Sequence, residues 1–324
     1  MVGQNEAVKK LVSCIINNIH SKNSTEIIKP LIVGQTGSGK TFFFKLIKKV
    51  FDIPVVVIDC NRLVQAGYVG KSVDDSLRDL YYLCNGDEEK IRTAILYLDE
   101  VDKLASRGAD VSDVGVQKSL LKLLEGSPYV ISLDLNRTKT VTIDTSMMTI
   151  VAGGAFSGIE DIIKKTKMPC GFSNGDKEKD KLCFKYREGV VKTEHFVEYG
   201  MIPEFIGRFN LPVIYNEVTK EMLREQLEES KSSPLLIKQD IYKRDYNITL
   251  EFKPEFIDII VNNAYENQTG FRGIETEINE VLVDLLFDVQ SGIAYGQTVT
   301  VGAEIFEDTT DYEINHVKVK KKNR

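Results

Sequence analysis

The chain has 324 residues but no C-x-x-C pair, no long apolar run and only 3 histidines. Its cysteines (Cys14, Cys60, Cys84, Cys170 and Cys183) are odd in number and widely spaced. That excludes a small disulfide scaffold and zinc-finger spacing, and reads as reduced, intracellular thiols. The longest apolar runs, such as Ile53–Ile58, reach about six residues where a spanning helix needs about 20, so no membrane segment is expected. His20, His195 and His316 are too dispersed to suggest a metal site. The 42 basic residues fall short of the 48 acidic ones, a net charge of −6. That balance argues against a protein that binds duplex nucleic acid mainly through phosphates, and no nucleic-acid partner is expected. No basic-then-apolar leader follows Met1-Val2-Gly3-Gln4. A cytoplasmic protein is therefore expected, with an organelle matrix as the alternative.

What is present is an alternation of helical and strand patterns. Apolar residues at Ala7, Val8, Leu11, Val12, Ile15, Ile16 and Ile19 form a helical stripe. A short apolar run, Ile27–Gly34, is interrupted by Lys29-Pro30 and ends in a glycine-rich turn, after which Thr41–Phe51 resumes helical spacing. Ile53–Asp59 is β-branched and apolar throughout, as a strand buried on both faces should be. Ser72–Leu83 is helical, Ala94–Leu98 a strand, Val116–Leu124 helical and Met147–Ala152 a strand. Strands alternating with helices predict a parallel sheet flanked by helices, an α/β fold. Residues 164–187, rich in Lys, Asp and Gly, read as a long exposed loop. Beyond Leu211-Pro212-Val213 the pattern becomes mainly helical, over Glu221–Ser230, Pro254–Tyr265 and Gly273–Phe287. Strand-like Thr298–Val301 and Ile314–Val319 close the chain. Two domains are expected, a large one over 1–215 and a smaller, mainly helical α+β one over 216–324. The basic tail Lys318–Arg324 reads as a solvated terminus.

The strongest chemical signal is Gly34-Gln35-Thr36-Gly37-Ser38-Gly39-Lys40-Thr41, which fits G-x-x-x-x-G-K-[ST] between a strand and a helix. In this context the glycines let backbone N–H groups wrap a polyphosphate, and the helix N-terminus adds its positive end. Lys40 would reach the β- and γ-phosphates, and Thr41 would hold Mg²⁺. The strand Ala94–Leu98 then runs into Asp99-Glu100. Strand alternation predicts that these two carboxylates leave on different sides, with Asp99 organising the metal and Glu100 facing the attacking water. The bland alternative is an acidic helix cap, a role open to Asp102. The guanine-specific N-K-x-D does not occur, which weakens a GTPase reading. A second carboxylate after Asp99 favours hydrolysis over transfer to a small substrate. The expected activity is ATP hydrolysis, with ATP and Mg²⁺ as cofactors.

With these motifs in place the chain resembles the AAA+ unfoldases of the ClpX family. The resemblance is carried by Val2-Gly3-Gln4, Gly34–Thr41, Asp99-Glu100-Val101-Asp102-Lys103, Gly115-Val116-Gln117 with Leu120–Gly126, and Gly153-Gly154-Ala155-Phe156. Its most specific stretch is Gly200–Arg208, GMIPEFIGR, and Thr269-Gly270-Phe271-Arg272-Gly273 continues it into the second domain. It implies a homo-hexameric ring that hydrolyses ATP and threads protein substrates through its pore, into a ClpP-type peptidase. Under it, Gly67-Tyr68-Val69-Gly70 is the axial pore loop. An aromatic–aliphatic tip there grips a polypeptide through van der Waals contact, without reading its side chains. Arg208 is the arginine finger acting on a neighbouring subunit's γ-phosphate, and Arg272 is the sensor 2 residue touching bound nucleotide. Val2 and Ile16 fall in the opening segment that matches the family's adenine pocket.

Several positions depart from the family pattern. The four-cysteine N-terminal zinc domain of the family has no match here. The peptidase-docking loop, aliphatic-Gly-Phe in the family, is Cys170-Gly171-Phe172. Cysteine is a small hydrophobe there, losing roughly 1–2 kcal/mol of burial per contact. The basic substrate-recruiting loop is reduced to Leu133–Lys139, with two cations, and the loop near Ser106–Gly115 is short and acidic. No polar sensor-1 side chain is visible before Gly153, and Glu275 stands where the family repeats a basic residue. Two alternatives follow: a remodelling chaperone that needs no peptidase, and a weakly hydrolysing regulatory or scaffold subunit.

Overall fold

Ile95, Leu96, Tyr97 and Leu98 are all wholly buried, yet they serve two different cores. Ile95 and Tyr97 pack with Leu11 and Ile15 and with Phe43, Phe44 and Ile47. Leu96 and Leu98 pack on the opposite face with Leu77, Leu80, Leu120 and Leu123. A strand with a period of two, covered by helices on both sides, requires this division. It also fixes the face that the next residue, Asp99, will share.

A computed structural model describes residues 1–21, 23–63, 72–105, 111–134, 138–167, 191–292, 294–315 and 317–318. The chain divides into two compact units. The first comprises Met1, Gly3–Gln35 and Gly39–Glu217; the second comprises Val218–Arg324 with Val2 and Thr36–Ser38. In order, the first contains α1 (Asn5–His20), β1 (Pro30–Val33), α2 (Lys40–Phe51), β2 (Val55–Asp59), α3 (Val73–Leu83), α4 (Glu88–Arg92), β3 (Ile95–Asp99) and α5 (Val111–Leu124). Then follow β4 (Pro128–Ser132), β5 (Thr140–Asp144), β6 (Thr149–Gly154), α6 (Ile159–Lys167), α7 (Thr193–Tyr199), α8 (Pro203–Ile206) and β7 (Leu211–Ile214). Five strands form one parallel sheet in the order β2-β3-β6-β1-β7. Chain order and sheet order differ at β6, which lies between β3 and β1. The carboxyl ends of β1 and β3 therefore flank it, the position at which open α/β sheets bind ligands.

The two prolines sit where the ladder tolerates them. Pro30 is the first residue of β1, so the apolar run at 27–34 is entered at the proline rather than interrupted by it. Pro212 lies on the edge strand β7 opposite Leu31. Strands β4 and β5 form a separate antiparallel hairpin that periodicity did not reveal.

The second unit contains α9 (Lys220–Glu228), α10 (Pro234–Tyr246), β8 (Thr249–Phe252), α11 (Pro254–Glu266), α12 (Gly270–Val281), α13 (Val283–Gln290), β9 (Thr298–Val301), β10 (Glu313–Ile314) and β11 (Val317–Lys318). Its mixed sheet runs β11-β10-β9-β8, with β8 and β9 parallel. Leu223, Phe256, Ile260, Ile274, Ile278, Leu285 and Val299 form its core. The sequence pattern predicts one helix over 273–287. Instead α12 begins at Gly270, and Leu282, outside helical geometry at ψ 5°, separates it from α13. Among the described residues no helix is long and apolar enough to cross a membrane.

Candidate functional site

The loop after β1 turns into α2 through Gly37 and Gly39, whose φ angles are +76° and +94°. Side chains with a Cβ rarely adopt this region, so glycine at these two positions lets the backbone curl at the helix entrance. Gly34, Gln35 and Gly39–Thr41 belong to the first unit. The Gly34 amide donates to Gly154 O at 3.2 Å, tying the start of the loop to the end of β6. Lys40 is buried, and its Nζ donates to Gly34 O at 2.6 Å and Gln35 O at 2.9 Å. The ammonium is thus held over the loop it would share with a polyphosphate.

Asp99 ends β3 on the same face as Ile95 and Tyr97, the face covered by α2. Thr41, in the first turn of α2, donates from Oγ1 to Asp99 Oδ2 at 2.6 Å. This geometry fits magnesium. Neighbouring ligands of an octahedral Mg²⁺, each about 2.1 Å from the ion, stand about 3 Å apart. A hydroxyl and a carboxylate oxygen already close to that spacing need little movement to become neighbouring ligands. Among the described residues no group of three or more His, Cys, Asp or Glu could hold a metal ion. Magnesium in nucleotide sites takes one or two protein oxygens, with phosphate and water completing its shell.

Glu100 does not continue the strand alternation that the sequence suggested. Its φ is +56° and ψ +37°, and it caps a short 3₁₀ turn, Val101–Leu104. The direction of its exposed side chain is set by this left-handed corner. Asp102 is buried and accepts from the Ala155 amide at 3.2 Å. That amide follows the end of β6 and belongs to no helix N-terminus, so Asp102 ties the exit of β3 to β6 and is not the helix cap that its sequence position left open.

Three relationships lay beyond sequence reasoning. Gln4, almost wholly buried, donates from Nε2 to Asn216 O at 2.9 Å and accepts from Asn216 N at 2.8 Å. The Asn216 side chain in turn donates to Gly3 O at 2.7 Å. The opening Gly3-Gln4 is thereby fastened to the residues after β7. Arg208 pairs with Glu125, Nη2 to Oε1 at 2.5 Å. Tyr97 donates its hydroxyl to Asp99 Oδ1 at 3.0 Å. Only a residue type at each position was visible beforehand, not the partner.

Ile16 is exposed on α1, and Arg272 is exposed in the first turn of α12 in the second unit. Val2 is half-buried. Gly67, Tyr68, Val69 and Gly70 lie outside the described residues, as do Cys170, Gly171 and Phe172. Cys14, Cys60 and Cys84 are free and buried. Burial raises the Cys14 thiol to about 12. Burial and the surrounding acids, Asp99 foremost, raise that of Cys60 further. Neither is a thiolate at neutral pH.

Comparison with known proteins places these features in a wider set. The family model described as AAA domain (Cdc48 subfamily) matches residues 25–211. The chain is similar to the ATP-dependent Clp protease ATP-binding subunit ClpX of Borrelia duttonii (strain Ly) and to that of Borrelia recurrentis (strain A1). Each is 33% identical over 319 residues, covering 90% of this chain and 72% of the relative. The protein of the same name from Treponema denticola is 31% identical over 312 residues, covering 90% of this chain and 75% of the relative.

Proposed function

The chain belongs to the ClpX family of AAA-domain ATPases, and from that premise we propose that it is an ATP-driven protein unfoldase and translocase. It works as a homo-hexamer, in the cytoplasm, and passes its protein substrates to a ClpP-type peptidase. Residues 1–215 are its large nucleotide-binding domain, and residues 216–324 its small domain. The observation that carries the reading is the Thr41–Asp99 contact at 2.6 Å, with the Lys40 ammonium held over the adjoining loop.

In this reading Lys40 exchanges the carbonyls of Gly34 and Gln35 for phosphate oxygens when ATP enters. The backbone of 34–39 and the start of α2 supply N–H donors to the same oxygens. Thr41 Oγ1 and Asp99 Oδ2 are the protein oxygens for magnesium, which when bound neutralises charge on the β- and γ-phosphate oxygens. Glu100 accepts a proton from water. The water oxygen bonds to the γ-phosphorus as the bond to the β–γ bridging oxygen breaks, leaving ADP and phosphate. Arg208 of one subunit stabilises the equatorial oxygens in its neighbour's site, where a planar, permanently charged guanidinium is suited to the task. Arg272 reports the nucleotide state from the small domain, and Val2 contributes to the adenine pocket. The energy released moves the loop Gly67-Tyr68-Val69-Gly70, whose apolar tip drags the substrate.

The deciding experiment follows ATP-dependent unfolding of a tagged fluorescent protein, with and without a ClpP-type peptidase. Glu100→Gln and Tyr68→Ala run beside the wild type. Unfolding lost in both variants, with fragments only when peptidase is present, is the expected result. Unfolding without fragments would favour a peptidase-independent remodelling chaperone, the reading that Cys170 in the docking loop supports. Absence of unfolding, with turnover no higher than that of Glu100→Gln, would leave a regulatory subunit.

A further inference from the structure

Asp99 is held through both of its oxygens, and one donor comes from the interior of the sheet. Thr41 Oγ1 donates to Oδ2, while the Glu100 amide and the Tyr97 hydroxyl both donate to Oδ1 at 3.0 Å. Tyr97 is wholly buried two residues before Asp99 on the same strand face. Its ring stacks on Phe44 of α2, with centroids 4.0 Å apart and planes 20° from parallel. Across the sheet stands Gly153, where a Cβ would lie 2.3 Å from the Tyr97 hydroxyl oxygen. Phe44 thus fixes the ring, and the bare backbone of Gly153 leaves room for the hydroxyl.

A phenylalanine would fill the same ring position without burying a hydroxyl. A buried hydroxyl is favourable only when its hydrogen bond is made, and here the bond goes to the acid proposed to hold magnesium. With Oδ1 held by two donors, the carboxylate cannot rotate about its last bond, and Oδ2 stays turned toward Thr41.

We propose that Tyr97 is a positioning residue for magnesium: its hydroxyl pins Asp99 Oδ1 so that Oδ2 and Thr41 Oγ1 meet the ion as a prepared pair. The inference rests on reading Thr41 and Asp99 as the magnesium-binding residues. Partners of metal ligands typically change metal affinity about 10–100-fold when removed.

The test uses the full chain with saturating ADP and titrates Mn²⁺, followed by its effect on water proton relaxation. In Tyr97→Phe the half-saturating Mn²⁺ concentration should rise about tenfold or more. ADP affinity in EDTA should stay at the wild-type value, and excess Mg²⁺ should restore ATP turnover. Ile47→Val, in the same core beneath α2, is the packing control: it should lower Tm while leaving the half-saturating Mn²⁺ within about twofold. If Tyr97→Phe shifts Mn²⁺ binding no more than Ile47→Val, while Asp99→Asn abolishes it, the role given to Tyr97 is overturned and the metal site stands. If Asp99→Asn binds Mn²⁺ as the wild type does, the metal reading fails and this inference fails with it.

Discussion

Arg208 Nη2 lies 2.5 Å from Glu125 Oε1, although 83 residues separate the two in the chain. Both side chains are nearly half exposed, at 44% and 45%. An ion pair so exposed contributes about 0–1 kcal/mol to stability. Lys29 lies near the pair, and its amine is lowered first by burial and then by the charge of Arg208. Arg208 is therefore a cation at the surface, with little weight in holding the first unit together.

The first prediction follows from that exposure. Arg208→Ala should change unfolding free energy by less than about 1 kcal/mol. The same variant should lower ATP turnover by about 10³-fold, as loss of an arginine finger does. Mixing Arg208→Ala with Glu100→Gln subunits should recover part of the turnover, because an intact Glu100 then meets an intact Arg208 across an interface. A mixture as inactive as either parent would show that Arg208 does not act between subunits.

Glu100 occupies a left-handed corner at φ +56°, and its side chain is offered to solvent. Glu100→Gln should lower ATP turnover by about 10²–10⁴-fold, the usual contribution of a positioned base. Affinity for a fluorescent ATP analogue should be retained, because the phosphate-binding loop is untouched. Loss of affinity together with turnover would mean that the residue supports binding and not water activation.

Metal dependence should be absolute. EDTA should bring ATP turnover to the background, and Mg²⁺ should restore it. Thr41→Ala removes the hydroxyl that stands 2.6 Å from Asp99 Oδ2. It should raise the half-saturating Mg²⁺ concentration by about an order of magnitude or more in steady-state assays. Unchanged Mg²⁺ dependence would remove Thr41 from the metal shell.

Gln4 bonds to both the N–H and the C=O of Asn216 from a buried position. Gln4→Ala leaves those backbone groups without their partner and should destabilise the chain by about 1–3 kcal/mol. Chemical denaturation checks the size. An effect below a few tenths of a kcal/mol would show that the opening segment is not anchored there.

The N-terminus of α3 gives a pH prediction. Ser72 and Asp75 form a reciprocal cap, and Arg78 Nη1 pairs with Asp75 Oδ1 at 2.9 Å. Burial raises the Asp75 carboxyl, but the hydrogen bonds from Ser72 and the Arg78 pairing outweigh it, and the net shift is downward. A depressed carboxylate adds stability above its unfolded pKa of about 3.9, and this is lost as pH falls through the folded value. Asp75→Ala should therefore cost about 1 kcal/mol near neutral pH and progressively less below about pH 4 in urea titrations. A difference that grows on acidification would contradict the sign.

Much of this was legible in the residues themselves. Glycines at 34, 37 and 39 followed by Lys40-Thr41 identify a phosphate loop, because few other sequences permit that backbone beside a helix start. The apolar run before Asp99 identifies a strand buried on both faces. The hairpin of β4 and β5 was not legible, since half its residues face water, with Val130 at 66% exposure. Helix α10 was missed as well; its apolar residues are split between buried Leu235 and Tyr242 and exposed Leu236 and Ile237.

The sequence by itself therefore determined the elements whose signal is local: the loop that curls around phosphate, the alternation within β3, and the acids that follow it. Tertiary structure decided which side chains meet. Thr41 reaches Asp99 across 58 residues because β6 inserts between β1 and β3 and sets the two strand ends on either side of it. Glu100 turns away from the strand pattern because its backbone leaves the sheet at a left-handed corner. Tyr97 holds Asp99 because a glycine on the neighbouring strand leaves room for one hydroxyl. Local propensity depends on residues a few positions apart, whereas a hydrogen bond depends on positions in space, and only folding brings those together.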